Sequence, residues 1–347
     1  MAIRVGVLGI GFMGKAHVGI YAKEKRAQLV AYCDSDPKKA AGDWSAGGGN
    51  IGDQSNLGVD PRTLRSHHTA AELFADPDVD LVDICLPTYL HAEHVVKALA
   101  AGKHVLCEKP LAVSLKDADR MVRAVKKAKG FMMPAHCMRF WPEWAWLKDA
   151  VAERRYGNVL SAVFRRFGST PVWSCGNWLL EPALSGSALF DLHIHDVDFV
   201  RYVFGEPQAV FAVGSSGKAT RDGIDLVVAT YLYKNPRQVV MAEGGWHADP
   251  TYGFTMRYTV VFDQATLDFD LARTGKTLLL HKAGAKEPEV VQTAATTGWE
   301  AEISYFLGCI EKGEPPKVTT AADARKSVAL TRAELESITG RRIVRLR

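Results

Sequence analysis

The first 34 residues constrain this chain more than any other stretch. Residues 3–8 are a short β-branched run that stops at Gly9-Ile10-Gly11-Phe12-Met13-Gly14, a G-x-G-x-x-G, and a helix-forming segment follows from Met13 to about Lys25. In that spacing the first glycine permits a tight turn, the second lets the backbone approach a pyrophosphate, and the third lets helix and strand pack closely. The helix N-terminus then offers unpaired N–H groups to the anion. Glycine-rich turns are common, so the motif alone is weak. Its context adds weight, because the next apolar run, residues 28–33, ends at Asp34, 20 residues beyond Gly14. A carboxylate there can accept both ribose hydroxyls of an adenosine, and it disfavours a 2′-phosphate. The competing role for Asp34 is to cap the helix opening near Pro37, which Asp36 can do instead. Strand, glycines, helix, strand and acid together predict a dinucleotide site of Gly9, Gly11, Phe12, Met13, Gly14 and Asp34, with NAD preferred over NADP.

The alternation continues, with strands at residues 81–86 and 104–107, helices at 90–101 and 114–129, and a further strand at 131–135. Such a series implies an α/β Rossmann domain, a mostly parallel, doubly wound sheet with helices on both faces. Residues 42–66, rich in Gly, Asn and Asp, interrupt it as a long surface loop. After about residue 140 the segments become short, β-branched and aromatic, at 159–167, 209–214, 226–233, 238–243, 256–262, 266–270 and 277–281. Helices are expected at 141–155, about 188–204, 299–312 and 321–339. The second domain is therefore α+β with a largely antiparallel open sheet. We place the domains at 1–135, binding dinucleotide, and 136–347, binding substrate and mediating oligomerisation. The apolar content of residues 210–213, 227–233 and 239–241 exceeds what one core-facing side needs, which predicts a homodimer or homotetramer.

Length and composition agree with two globular domains: 347 residues, 47% hydrophobic and 24% charged. The net charge of +4 is dispersed, and the short cluster Lys126, Lys127, Lys129 suits a solvated helix face better than a nucleic-acid surface. Six scattered cysteines without a C-x-x-C pair suit reduced thiols, and no apolar run reaches bilayer length. These features predict a cytoplasmic protein that binds neither nucleic acid nor membrane.

The fingerprint followed by His17, Cys33-Asp34-Ser35-Asp36-Pro37, Leu86-Pro87-Thr88 with His91, and Gly102-Lys103-His104-Val105-Leu106-Cys107-Glu108-Lys109-Pro110 resembles the glucose-fructose oxidoreductase, inositol dehydrogenase and MocA family. Ser185-Gly186-Ser187 with Asp191 and His195 is similar to that family's second-domain motif, and the stretch from Tyr305-Phe306 to Leu346 to its closing segment. The 42–66 loop is longer than the family's usual connection, and Gly186-Ser187 stands where the family has paired or tripled glycines. The resemblance adds Leu86, Pro87, Thr88, His91 and Glu108 to the cofactor site. It implies an NAD-dependent dehydrogenase acting on CH–OH groups of a sugar, inositol or related polyol.

Hydride transfer from an alcohol requires a group that takes the hydroxyl proton and one that holds the oxygen. Lys109 follows a strand at the carboxyl edge of the parallel sheet, where ligands of open α/β folds bind, although an arbitrary lysine is a solvated charge. Asp191 and His195 lie four apart and on one helix would project from the same stripe; alone they suit a surface ion pair or a satisfied core histidine better than a catalytic pair. The resemblance implies that Lys109, Asp191 and His195 surround the substrate alcohol, His195 accepting its proton. His193 and His195 sit two apart on a helix and point to different sides, so no metal is expected. Trp173 and Trp178 are weak candidates for stacking on a sugar ring. An NAD-dependent glycosidase or lyase that oxidises its substrate transiently would use the same residues; a non-catalytic nucleotide sensor is a third reading, against which the presence of Lys109, Asp191 and His195 argues.

Overall fold

The computed structural model describes residues 1–45, 48, 49 and 57–346. They divide into two compact units, Met1–Cys137 with Val172–Trp178 and Trp299–Val328, and Met138–Pro171 with Leu179–Gly298 and Ala329–Arg347. Two segments from the sequence-based second domain thus pack with the first unit. The contacts that draw Trp299–Val328 there are long-range: Arg26 donates to Ser304 Oγ at 2.6 Å and Arg325 Nε to Asp119 at 2.9 Å.

The first unit is a six-stranded parallel sheet in the order β3-β2-β1-β4-β5-β6. Its strands are β1 (Ile3–Leu8), β2 (Ala27–Cys33), β3 (Arg65–His67), β4 (Leu81–Ile84), β5 (His104–Glu108) and β6 (Met132–Ala135). Between them run α1 (Phe12–Tyr21), α2 (Pro37–Ala40), α3 (Ala70–Ala75), α4 (Thr88–Ala100) and α5 (Leu115–Val125). Val5, Val7, Val82, Ile84, Val105 and Leu106 are fully buried, as helices on both faces of a parallel sheet require. Strand order reverses between β1 and β4, so the ligand crevice of such a sheet lies at the carboxyl ends of these two strands. The loop expected over 42–66 is shorter than the sequence suggests: a 3₁₀ turn at Pro61–Thr63 and β3 fall in or overlap its second half. Arg65-Ser66-His67 lacks the apolar alternation of a strand and is ordered by pairing with Ala31, Tyr32 and Cys33 at the sheet edge. Residues 46, 47 and 50–56 of that loop lie outside the described residues.

The second unit holds a nine-stranded sheet, ordered β14-β13-β12-β11-β7-β10-β9-β8-β15. The strands are β7 (Val159–Ser169), β8 (Ala209–Ser215), β9 (Leu226–Leu232), β10 (Val239–Ala248), β11 (Thr255–Phe262), β12 (Ala265–Asp270), β13 (Leu278–Lys282), β14 (Glu289–Val290) and β15 (Val344–Arg345). Every pairing is antiparallel except β7 with β10. Its helices are α6 (Pro142–Ala152), α7 (Pro182–Ser185), α8 (Ser187–Asp191) and α9 (Ile194–Phe204); α10 (Gly298–Lys312) and α11 (Ala321–Gly340) complete the chain. One face of the sheet closes a core around fully buried Trp144, whose ring meets Phe164, Phe199, Tyr258 and Phe269 at centroid distances of 4.7 to 6.1 Å. The opposite face leaves Val163, Phe211, Val213, Leu232 and Val239 exposed, and through the ladders Phe211, Thr230, Met241 and Val163 form one row across four strands.

The single helix expected over 188–204 is two. The N–H groups of Leu192 and His193 both bond to Ala188 O, at 3.0 and 2.9 Å, so the second returns across five residues and interrupts the α-helical register. Asp191 ends α8 and His195 belongs to α9, so stacking on one stripe does not follow from their spacing. Upstream, Gly186 and Ser187 both adopt left-handed backbone, with φ of 73° and 60°. A serine in that conformation is strained, and hydrogen bonds hold it: its N–H donates to Ser185 Oγ at 2.8 Å, and its Oγ accepts from Ile224 N at 2.9 Å.

Candidate functional site

The glycines at the end of β1 have separate duties. Gly9 has φ of 95°, and a Cβ there would lie 2.7 Å from Cys85 O; a Cβ on Gly14 would lie 1.9 Å from Gly9 O. Both are required by the fold. A Cβ on Gly11 meets nothing within 4 Å. Gly11 caps α1 without any side-chain hydrogen bond, leaving the helix N-terminus open above a backbone stripped of side-chain bulk. That cradle suits a pyrophosphate, with Phe12 and Met13 opening the helix beside it.

Asp34 is half-buried, and its carboxylate accepts Ile10 N–H at 2.7 Å and Asp36 N–H at 2.8 Å. It therefore ties the glycine turn to the end of β2 while each oxygen keeps a further lone pair for a ribose hydroxyl. Asp36, not Asp34, caps α2, accepting from Lys38 N at 2.9 Å. The residues at Gly11 and Asp34 thus fit a dinucleotide.

At the carboxyl end of the adjacent strands, His91 places Nε2 2.8 Å from Leu86 O and Nδ1 2.9 Å from Pro110 O. Burial pushes its imidazole down to about 4, and the neutral ring, with one N–H, donates to only one of these two carbonyls while its other nitrogen faces the second, between the Leu86-Pro87-Thr88 turn and the Lys109-Pro110 turn. Thr88 is buried at the start of α4. Glu108 points inward: one oxygen accepts Lys109 N–H at 3.0 Å and the other lies 3.4 Å from His17 Nε2. Lys109 is half-buried, directly after this buried carboxylate and ahead of a cis peptide to Pro110. Around His17 the interior is densely polar. Its Nδ1 is 2.8 Å from Asp83, which also accepts Tyr21 OH at 3.0 Å.

In the second unit, Asp191 and His195 are half-buried whereas the ionisable residues around them are buried in pairs. Arg166 grips Asp196 through Nε and Nη2 at 2.9 and 3.1 Å; Arg139 grips Asp198 at 2.7 Å through both. These forks pin α9, the helix that presents His195, to β7 and to the turn before α6. Fully buried His193 faces Glu334 at 3.3 Å, and Glu334 also accepts Tyr231 OH at 2.8 Å, so His193 serves the interior. Groups of three metal-capable side chains among the described residues centre on His17, not on His193 or His195. Trp173 and Trp178 are half-buried in a segment belonging to the first unit, where Trp178 meets Tyr89 edge-on at 6.5 Å. Tyr89, 50% exposed and directly after Thr88, is an aromatic the sequence reading did not single out. Its signal was the position alone.

Residues 3–136 match the family model of an oxidoreductase family with an NAD-binding Rossmann fold, and residues 144–268 match the GFO/IDH/MocA C-terminal domain. The chain is 28% identical over 356 aligned positions to myo-inositol 2-dehydrogenase of Thermotoga maritima, covering 99% of this chain and 98% of the relative. It is 30% identical over 332 positions to 2,7-anhydro-N-acetylneuraminate hydratase of Escherichia coli, covering 91% and 81%. Among solved structures, levoglucosan dehydrogenase in complex with NADH and L-sorbose superimposes with a TM-score of 0.83 at 25% identity, over 100% of both chains. No helix among the described residues is long and apolar enough to cross a membrane. The chain belongs to the GFO/IDH/MocA family and is an NAD-dependent oxidoreductase.

Proposed function

We propose that this oxidoreductase transfers hydride between NAD and a ring CH–OH or carbonyl of a sugar, inositol or related polyol, with Lys109, Asp191 and His195 as the groups that act on the substrate oxygen. One observation carries this assignment. These three ionisable side chains remain partly exposed, while their neighbours Glu108, His193, Asp196 and Asp198 are buried in pairs. NAD, when bound, accepts the hydride from the substrate carbon. His195 takes the hydroxyl proton as the carbonyl forms, Lys109 stabilises the developing negative charge on that oxygen, and Asp191 orients the alcohol or the imidazole. Gly9, Gly11, Phe12, Met13, Gly14 and Asp34 hold the cofactor, flanked by Leu86, Pro87, Thr88 and His91; Glu108 serves it indirectly by fixing Lys109. Trp173 and Trp178 stand as weak substrate contacts.

The domain division at 135/136, a cytoplasmic location and a homodimer or homotetramer formed through the open sheet face belong to the same proposal. Growth of NADH absorbance on mixing the protein and NAD with a panel of inositols, aldoses and 1,6-anhydro sugars tests it. A panel without turnover, against a positive control enzyme, counts against it. The resemblance to hydratases supports a second reading, in which the substrate is oxidised, rearranged and reduced again; substrate loss with no net NADH identifies that reaction.

A further inference from the structure

Beneath the Glu108-Lys109 turn lies a set of ionisable groups that the reaction does not use. α1 contributes His17 and Tyr21, β4 Asp83, the residue after β4 Cys85, β5 Glu108, and α10 Glu302. His17, Asp83 and Glu302 have no solvent exposure, and Glu108 is 6% exposed. His17, Glu108 and Glu302 place one nitrogen or oxygen each within 4.8 Å of one another. Asp83 is well supplied, accepting from Tyr21 at 3.0 Å and Cys85 Sγ at 3.5 Å beside His17 at 2.8 Å. Glu108 accepts the Lys109 N–H and lies 3.4 Å from His17 Nε2, an ion-pair distance without a hydrogen bond. Glu302 has no hydrogen-bond partner for either oxygen among the described residues, and the charged groups around it are the carboxylates Glu108 and Asp83, with His17 in the same cluster.

Charge decides how such a cluster exists. One imidazolium cannot balance three carboxylates in a dry interior, and an uncompensated buried carboxylate instead keeps its proton. We propose that Glu302 and Glu108 together hold one proton at neutral pH, making Glu302 a positioning residue that fixes Glu108, and through its bond to Lys109 N–H the turn that presents Lys109. The proton belongs to the pair, as in other coupled carboxyls. Burial first, then Glu108 and Asp83, push Glu302 well above the usual carboxylate range. Burial raises Glu108 as well, with His17 and Lys109 opposing. Burial opposes charge on His17, but Asp83 and then Glu108 outweigh it and raise its pKa.

This inference rests on Lys109 acting at the substrate, so the test separates the two. In holoprotein labelled with ¹³C at glutamate carboxyls, one carboxyl signal should remain protonated at pH 7 and vanish in Glu302→Gln. Only ionised signals would overturn the proposal, as would a stoichiometric divalent metal found in the wild type and lost in Glu302→Gln, since a cation would then occupy the place of the proton. Stability gives a second readout. A carboxyl whose folded pKa is raised stabilises fully below its unfolded value near ~4.3, and that contribution falls as pH rises towards the folded value. Glu302→Gln lacks this slope, so its melting temperature relative to wild type should rise by about 3 °C or more between pH 5 and 9. A constant difference refutes the shared proton. Glu302→Ala should lower kcat about tenfold with NAD affinity unchanged, and Glu302→Gln should restore most of that loss; wild-type kcat in Glu302→Ala overturns the positioning role. Normal turnover in Lys109→Ala would instead remove the assignment of Lys109 while leaving the shared proton standing.

Discussion

Replacing Gly11 by alanine separates what the glycine turn does for the fold from what it does for the cofactor. The new Cβ meets no atom within 4 Å, and the residue's φ of −84° and ψ of −159° are open to any L-amino acid. Loss of a glycine at an N-cap costs a few tenths of a kcal/mol to about 1, and the stiffer unfolded chain returns about 0.4 to 1. The net change is near zero, so the melting temperature should move by no more than about 2 °C. The cofactor meets the change directly. A methyl group where the pyrophosphate approaches breaks charge-assisted hydrogen bonds at the α1 N-terminus worth about 1.5 to 3 kcal/mol, a roughly tenfold to hundredfold weaker Kd. Gly14→Ala is the control: its Cβ would sit 1.9 Å from Gly9 O, so that variant should lose both folding stability and NAD. Titration calorimetry with NAD beside a thermal melt reads both quantities. Wild-type affinity in Gly11→Ala, or a melting temperature as low as that of Gly14→Ala, would refute the division of labour between the two glycines.

Asp34 should make NAD bind tenfold to a hundredfold more tightly than NADP, a difference of about 1 to 3 kcal/mol, and Asp34→Ala should narrow it while loosening the turn that Asp34 ties to Ile10 N–H; equal affinities in the wild type contradict this. On the open sheet face, Phe211→Glu and Val213→Lys should shift light-scattering mass from an oligomer to a single chain, because Phe211, in the row with Thr230, Met241 and Val163, and Val213, two residues on along β8, are 39% and 52% exposed; an already monomeric wild type at micromolar concentration rules the interface out.

Much of the first unit was legible because its signals are local. Glycine spacing, the apolar runs of β1, β4 and β5 and the acid after β2 each act within a few residues of where they stand in the chain. Asp36 as the α2 cap could be named as an alternative, but only the hydrogen bond to Lys38 N decides it. What sequence could not supply is long-range. β3 owes its existence to a pairing partner more than thirty positions away. The break between α8 and α9 depends on which N–H groups reach Ala188 O, and an i, i+4 count is blind to that. Glu302 looks like an ordinary helix carboxylate until α10 is seen to pack in the first unit and bury it beside Glu108. The tryptophans at 173 and 178 reach the first unit through a short excursion of the chain that no periodicity announces.

Turnover of Lys109→Ala and His195→Ala, measured with the substrate found by the polyol screen and with melting temperatures and NAD affinity recorded alongside, tests the catalytic roles of these two residues most directly. If these groups act on the alcohol oxygen, each variant should fold and bind NAD as the wild type does while kcat falls about 10²- to 10⁴-fold, and the double variant should lose little more than the worse single one. Properly folded variants that turn over within a few-fold of wild type would contradict those roles.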